Sequence, residues 1–178
     1  MDVITCIKER RSIRAFADTP VSKETLARLI DTAAQVPSWK NAQPTRYTAA
    51  VKRETLDRIA ATLPDYNARI VSSAPALIAV SAMKKRSGYE RDGSPSTIFG
   101  DGYEFFDCGV ATQTLCLAAW EQGLGTVIMG IFDVAAAKEI FSVPEEEDLI
   151  ALVAIGVPKA PVNPVPKKDH ASLLRYID

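Results

Sequence analysis

Two short stretches of this sequence concentrate groups that bind anions and flat polar rings. Arg10-Arg11-Ser12-Ile13-Arg14 places three guanidinium groups within five residues, directly after an amphipathic stretch carrying Val3, Ile4 and Ile7. One helix length later, Pro37-Ser38-Trp39-Lys40-Asn41-Ala42-Gln43-Pro44 supplies a hydroxyl, two amides and an ammonium between two prolines. Guanidinium forks bind phosphate bidentately and suit an electron-rich ring edge, and Ser12 adds a further donor. Together the two stretches fit a phosphorylated, hydrogen-bond-rich ligand. Each alone also has a plainer reading. Basic residues complement the dipole at a helix end, and Asn and Gln are common in turns.

Other chemistries find little support. Gly123-Leu124-Gly125 invites a dinucleotide-fingerprint reading, but Ile128 stands at the third glycine position and the motif follows a helix and opens a strand. A Rossmann site needs the reverse order. His170 is the only histidine, so neither a metal site nor a Ser-His-Asp triad has its parts, and no GxSxG elbow occurs. Glu145-Glu146-Glu147-Asp148 reads as a solvated loop ahead of a strand. With side-chain catalysis so thinly provided, a cofactor would have to carry any reaction.

These residues need elements to hold them. The patterning predicts a helix over 2–9 and a second one capped by Ser22, with Leu26, Leu29, Ile30, Ala33 and Ala34 at helical spacing and Pro37 as its stop. A strand over 46–51, a helix over 54–63 and a short helical turn over 67–73 follow. Residues 76–80 form a continuous apolar run of strand length, as expected of a strand covered on both faces. Residues 84–102 break the pattern and read as a mobile loop, either a functional roof over a site or plain surface. Residues 105–122 form the longest helix, apolar almost all round, which belongs in a core or a subunit interface. Gly123 supplies a left-handed cap. A strand over 126–129, a helix over 134–141 capped by Asp133, a strand over 149–155 and a proline-rich tail complete an α+β order.

The chain has 178 residues, enough for a single domain with a sizeable core. Its apolar share of 47% and mean hydropathy of +0.01 leave apolar surface to place, for which an oligomer interface is one solution. A formal charge of −1 gives no footprint for nucleic acid or anionic membrane. No signal peptide or membrane span is expected. The three cysteines, Cys6, Cys108 and Cys116, lack CxxC spacing and read as small buried hydrophobes in a reducing cytosol.

Taken in order, the motifs resemble the FMN-dependent nitroreductase family. Arg-Arg-Ser-Ile-Arg is followed by Pro-Ser-x-x-Asn-x-Gln-Pro, by Asn67 ahead of Ala74-Pro75 and a buried strand, by Asp107-Cys108-Gly109 in the long helix, by Gly123 through Gly130, and by Lys167-Lys168 after Gly156-Val157-Pro158. The resemblance implies a nitroreductase fold as one domain over 1–178. It implies a central mixed or antiparallel sheet flanked by helices in an intertwined homodimer, with 158–178 as a C-terminal extension. FMN would be the cofactor and NADH or NADPH the electron donor. The reaction would be ping-pong hydride transfer through flavin N5 to a small acceptor such as a nitroaromatic or a quinone. No catalytic side chain is implied beyond the ring support of Arg14. Arg10, Arg11, Ser12 and Arg14 fall in the first flavin-binding segment, with Arg10 toward the phosphate and Arg14 near the N1–C2=O edge. Pro37, Ser38, Trp39, Asn41 and Gln43 fall in the segment that crosses from the second subunit. Asn67 corresponds to the asparagine on the pyrimidine edge, Ile128, Met129 and Gly130 to the backbone over the ring, and Lys167 or Lys168 to the C-terminal phosphate contact. This chain departs from the family where Thr45-Arg46 follow Gln-Pro instead of tryptophan, and where lysine replaces a phosphate-binding arginine. A flavin-consuming or dehalogenating enzyme of the same fold, or a non-catalytic flavin-binding protein, fits the same motifs.

Overall fold

The computed structural model describes residues 1–177. Four strands form one sheet in the order β1-β2-β4-β3: β1 (Thr45–Ala50), β2 (Ala76–Met83), β3 (Gly125–Met129) and β4 (Glu147–Gly156). Every pairing is antiparallel, so the sheet resolves to the antiparallel of the two expected forms. β2 and β4 occupy the centre, and β1 and β3 are the edges.

The apolar run of β2 contains a period-two division that its composition hides. Leu77 and Ala79 pack with Leu56, Ile59, Ile70, Val71 and Leu152 beneath α3 (Arg53–Ala60) and α4 (Asp65–Ser73). Ala76, Ile78 and Val80 face the other way, against Leu26, Leu29, Leu115 and Ala119 of α2 (Lys23–Ala33) and α5 (Gly102–Glu121). Helices therefore cover both faces of the sheet, which is why its central strands lack polar alternation.

Local signals set most helix ends. The N-cap of α2 is Ser22, whose Oγ accepts from Thr25 N at 3.1 Å. Asp133 caps α6 (Val134–Phe141) by accepting from Ala136 N at 3.0 Å. Both caps satisfy amides that the first turn leaves unpaired. Gly123, at φ +77°, ends α5 in the left-handed region. The stretch at 67–73 is a full helix, α4, starting at Asp65 after Pro64. Its C-terminal carbonyls are collected by Arg53, whose guanidinium donates to Val71 O, Ser72 O and Ala74 O at 3.1–3.2 Å. That clamp fixes the helix bearing Asn67.

Two expectations need correction. Glu147 is not part of a solvated loop: it opens β4, is buried, and accepts a hydrogen bond from Ser81 Oγ on the neighbouring strand. The long helix begins at Gly102, so it absorbs the end of the 84–102 stretch. The rest of that stretch folds on itself, with Glu90 N donating to Ser94 O and Ser96 N to Gly88 O, each at 2.8 Å. Cys6, Cys108 and Cys116 are buried free thiols, and burial pushes the Cys108 thiol up to about 11.

Past β4 the chain runs as an exposed segment, with one short helix, α7 (His170–Leu173). Val162, Val165, Leu173, Leu174, Tyr176 and Ile177 lie open along it.

Candidate functional site

The arginine-rich stretch is strapped to the outer edge of β3. After α1 (Val3–Glu9), Ser12 forms a parallel bridge with Thr126, and Ile13 N donates to Thr126 O at 2.9 Å. The strap continues past β4, where Ala17 N donates to Val157 O at 2.9 Å and Lys159 N to Ala15 O at 3.1 Å. Ile13, 1% exposed, is the anchor. It lies so close to Gly125 that a Cβ there would approach the Ile13 Cβ to 2.7 Å. Glycine at 125 thus lets the strap reach the sheet.

The three guanidinium groups divide. Arg11 Nη1 donates to Lys8 O at 2.6 Å and to Arg10 O at 2.9 Å. It therefore closes the end of α1, as the plainer reading expected. Arg14 is exposed and donates only to Ser12 O, at 3.3 Å. Neither Arg10 nor Arg14 has a carboxylate partner among the described residues.

Asn67 is brought to the same edge. It is buried on α4, and its Nδ2 donates to Ile131 O at 2.9 Å, just past the end of β3. Because the Thr126 carbonyl points away from β4 toward Ile13, the two-residue period turns the peptide groups of Ile128 outward as well. Met129 is 3% exposed, with its side chain in the core, whereas Ile128 is 48% exposed. A Cβ at Gly130 would meet nothing within 4 Å. Arg10, Arg14, Asn67 and the Ile128–Gly130 backbone therefore border one open edge.

The polar stretch lies elsewhere. Pro37, Ser38, Trp39, Asn41 and Gln43 lead into β1, at the opposite edge of the sheet, three strand spacings or about 14 Å away. This loop is tightly specified. Ser38 Oγ accepts from Gln43 N at 2.9 Å, and Asn41 Oδ1 accepts from Gln43 Nε2 at 2.9 Å. Lys40, Asn41 and Gln43 all have φ between +46° and +56°. Non-glycine residues there cost of order 1 kcal/mol each and persist where surroundings impose them. A cavity of about 550 Å³ lies beside this loop between α2 and β1. It is lined chiefly by Leu26, Ile30, Val36, Tyr47 and Val51, and the Tyr47 hydroxyl is buried there without a partner. Lys167 and Lys168 stand exposed on the C-terminal segment.

Asp107 is the residue that sequence reasoning named only as part of a motif. It is 4% exposed, and its Oδ2 accepts from Trp39 N at 2.9 Å and from Ser87 Oγ at 2.6 Å. One buried carboxylate thus holds the polar loop and the start of the 84–101 segment against α5. Glu104, one turn earlier and 1% exposed, accepts from Arg86 N at 3.1 Å. Burial raises its carboxyl pKa above the ordinary value. The signal is present in the sequence as two acids in the first two turns of a largely apolar helix, but their partners are far away in the chain. No helix among the described residues is long and apolar enough to cross a membrane.

Comparison with known proteins adds to this geometry. The model described as "Nitroreductase family" matches residues 7–157. A Methanothermobacter thermautotrophicus protein, provisionally named NADH dehydrogenase/NAD(P)H nitroreductase, is 33% identical over 162 residues, covering 89% of this chain and 78% of its own. The crystal structure of a nitroreductase family protein from Clostridium novyi NT is 27% identical, with a TM-score of 0.77 and coverage of 89% and 86%. A structure from Exiguobacterium sibiricum 255-15, of a provisionally assigned nitroreductase in complex with FMN, superimposes with a TM-score of 0.87. It is 20% identical, with 99% of this chain and 98% of that one covered.

Proposed function

The chain belongs to the nitroreductase family of oxidoreductases, and on that premise we propose that it is an FMN-dependent enzyme that oxidises NADH or NADPH and reduces a small acceptor, a nitroaromatic or a quinone. The observation that carries this reading is the convergence on the β3 edge of Arg10 and Arg14, without carboxylate partners, with Asn67 and the outward backbone of Ile128. Those groups fit FMN: cations for a phosphate and for the N1–C2=O edge, an amide for the pyrimidine edge, and peptide groups for the ring. FMN, when bound, supplies the two-electron chemistry by accepting hydride and passing electrons on. The Ser12–Thr126 strap fixes the backbone that carries Arg14 at this edge, so its positive charge would stand near the place where negative charge develops.

The reading includes a homodimer. Within one protomer the two stretches flank opposite sheet edges, so a site using both takes its second wall from a second copy. Support comes from the unpaired edge of β1, the apolar cavity beside it and the exposed apolar side chains of the C-terminal segment. The same segment would bring Lys167 or Lys168 to a phosphate. Buried free thiols suit a reducing cytoplasm.

The test is direct. Purified protein should be yellow or take up FMN, oxidise NAD(P)H with a nitroaromatic or quinone, and run as a dimer. Arg14→Ala should slow flavin reduction or loosen FMN. A colourless protein that cannot be loaded overturns the proposal. A yellow protein that oxidises no nicotinamide would be a flavin-binding protein without this activity.

A further inference from the structure

We propose that the cleft between the Trp39–Ala42 loop and the 85–92 segment binds the phosphate-bearing end of the nicotinamide donor, and that it favours a donor carrying an additional ribose phosphate. This rests on the oxidoreductase reading above. The cleft has a volume of about 1000 Å³, and its walls carry Lys40, Lys85, Arg86 and Arg91 together with Trp39 and Tyr89.

Its charge is set against that of the molecule. Four cations face two carboxylates, Glu90 and Asp92, which gives +2 in a chain whose formal net charge is −1. Both carboxylates are already engaged. Glu90 Oε1 takes Lys40 Nζ at 2.6 Å and Ser96 Oγ at 2.7 Å. Asp92 Oδ1 accepts from Ser94 N at 2.9 Å and Ser94 Oγ at 2.6 Å. The side chains of Lys85, Arg86 and Arg91 have no carboxylate partner among the described residues. Three unpaired cations around one cleft match a group of more than one negative charge, and two guanidinium forks suit phosphate geometry. A neutral nitroaromatic or quinone gives them nothing to pair with.

The walls are built rather than loose. Asp107 joins their bases by accepting from both Trp39 N and Ser87 Oγ. Lys40 and Glu90 join them across the opening. The cationic wall is a hydrogen-bonded turn in which Gly88, at φ +85°, reverses the chain and Tyr89 bridges to Pro95. The opposite wall is the loop proposed above to contact flavin in the second subunit, which puts a donor held here within reach of it. Trp39, tilted 53° against Tyr103 with ring centroids 4.5 Å apart, adds an aromatic edge to this wall.

Isothermal titration of the purified protein with adenosine 2′,5′-bisphosphate and with adenosine 5′-monophosphate tests this without electron transfer. An inactive or flavin-free preparation therefore does not obscure the result. The bisphosphate should bind about tenfold tighter or more, as one further charge-assisted contact allows, and the margin should shrink as salt rises. Arg86→Ala and Arg91→Ala, both exposed, should each reduce the margin, and in active protein should lower kcat/KM for NADPH by a larger factor than that for NADH. Equal binding of the two nucleotides overturns the proposal. So does binding of anionic 4-nitrobenzoate alone, or a margin that survives both substitutions.

Discussion

Replacing Asp107 should loosen two distant segments at once. Among the described residues its Oδ2 is the sole acceptor for both Trp39 N and Ser87 Oγ, and it is buried with no cation partner among them. Hydrogen bonds to a charged group contribute ~1.5–3 kcal/mol each, and a buried donor left unsatisfied costs ~1–3 kcal/mol. Removing a desolvated charge offsets part of this. Asp107→Ala should therefore destabilise by about 2–4 kcal/mol, which for a chain of this size lowers Tm by roughly 5–12 °C. Asp107→Asn keeps an acceptor but not the charge, and should cost about half as much. Urea unfolding gives these values, and a double-mutant cycle with Ser87→Ala locates them. If the clamp is real, Ser87→Ala is costly in the wild-type background and nearly silent beside Asp107→Ala, a coupling of about 1–2 kcal/mol. Additive effects would show that Ser87 and Asp107 do not act through each other. An Asp107→Ala protein with the wild-type midpoint would refute the clamp altogether.

Two further substitutions examine other parts of the site. Gly125→Ala should force Ile13 off the β3 edge and cost about 1–3 kcal/mol, with loss of FMN retention; a Gly125→Ala/Ile13→Ala protein that regains neither stability nor flavin would mean that the crowding is not the cause. Glu104→Gln keeps an acceptor for Arg86 N and removes a carboxyl whose folded pKa is raised by burial. Because the ionised form is the disfavoured one in the folded state, wild type loses stability as pH rises through that raised value. The variant should gain relative stability above pH 4.5, the ordinary carboxyl value, and lose that gain below it. A constant difference across the urea–pH series would refute this assignment.

Much of this architecture is legible in the sequence wherever its cause is local. The Ser22 and Asp133 caps, the stop at Gly123 and the apolar runs of β2 and β4 depend on residues a few positions apart. The ordered set of motifs pointed to the family because each lies in a chain stretch of its own. What was missed depends on partners far along the chain. Glu147 sits in a run of acids that locally signals solvent, yet Ser81, on the neighbouring strand, holds it in the sheet. Asp107 looked like a motif letter because neither Trp39 nor Ser87 is near it in sequence. Arg11 is a separate case: its partners, Lys8 O and Arg10 O, are local, and residue type alone does not tell it from Arg10 and Arg14.

The strap joins segments that are synthesised far apart in time. Ile13 hydrogen-bonds Thr126, and Ala17 hydrogen-bonds Val157, in each case more than a hundred residues later. On a ribosome the arginine stretch emerges first but has no strand to lie on until β3 and β4 have followed it. Domains gain their long-range pairings only when such segments are available. The candidate cofactor site can therefore be completed only after β4 has emerged, and a chain truncated before β4 would carry the arginines without the edge that aims them.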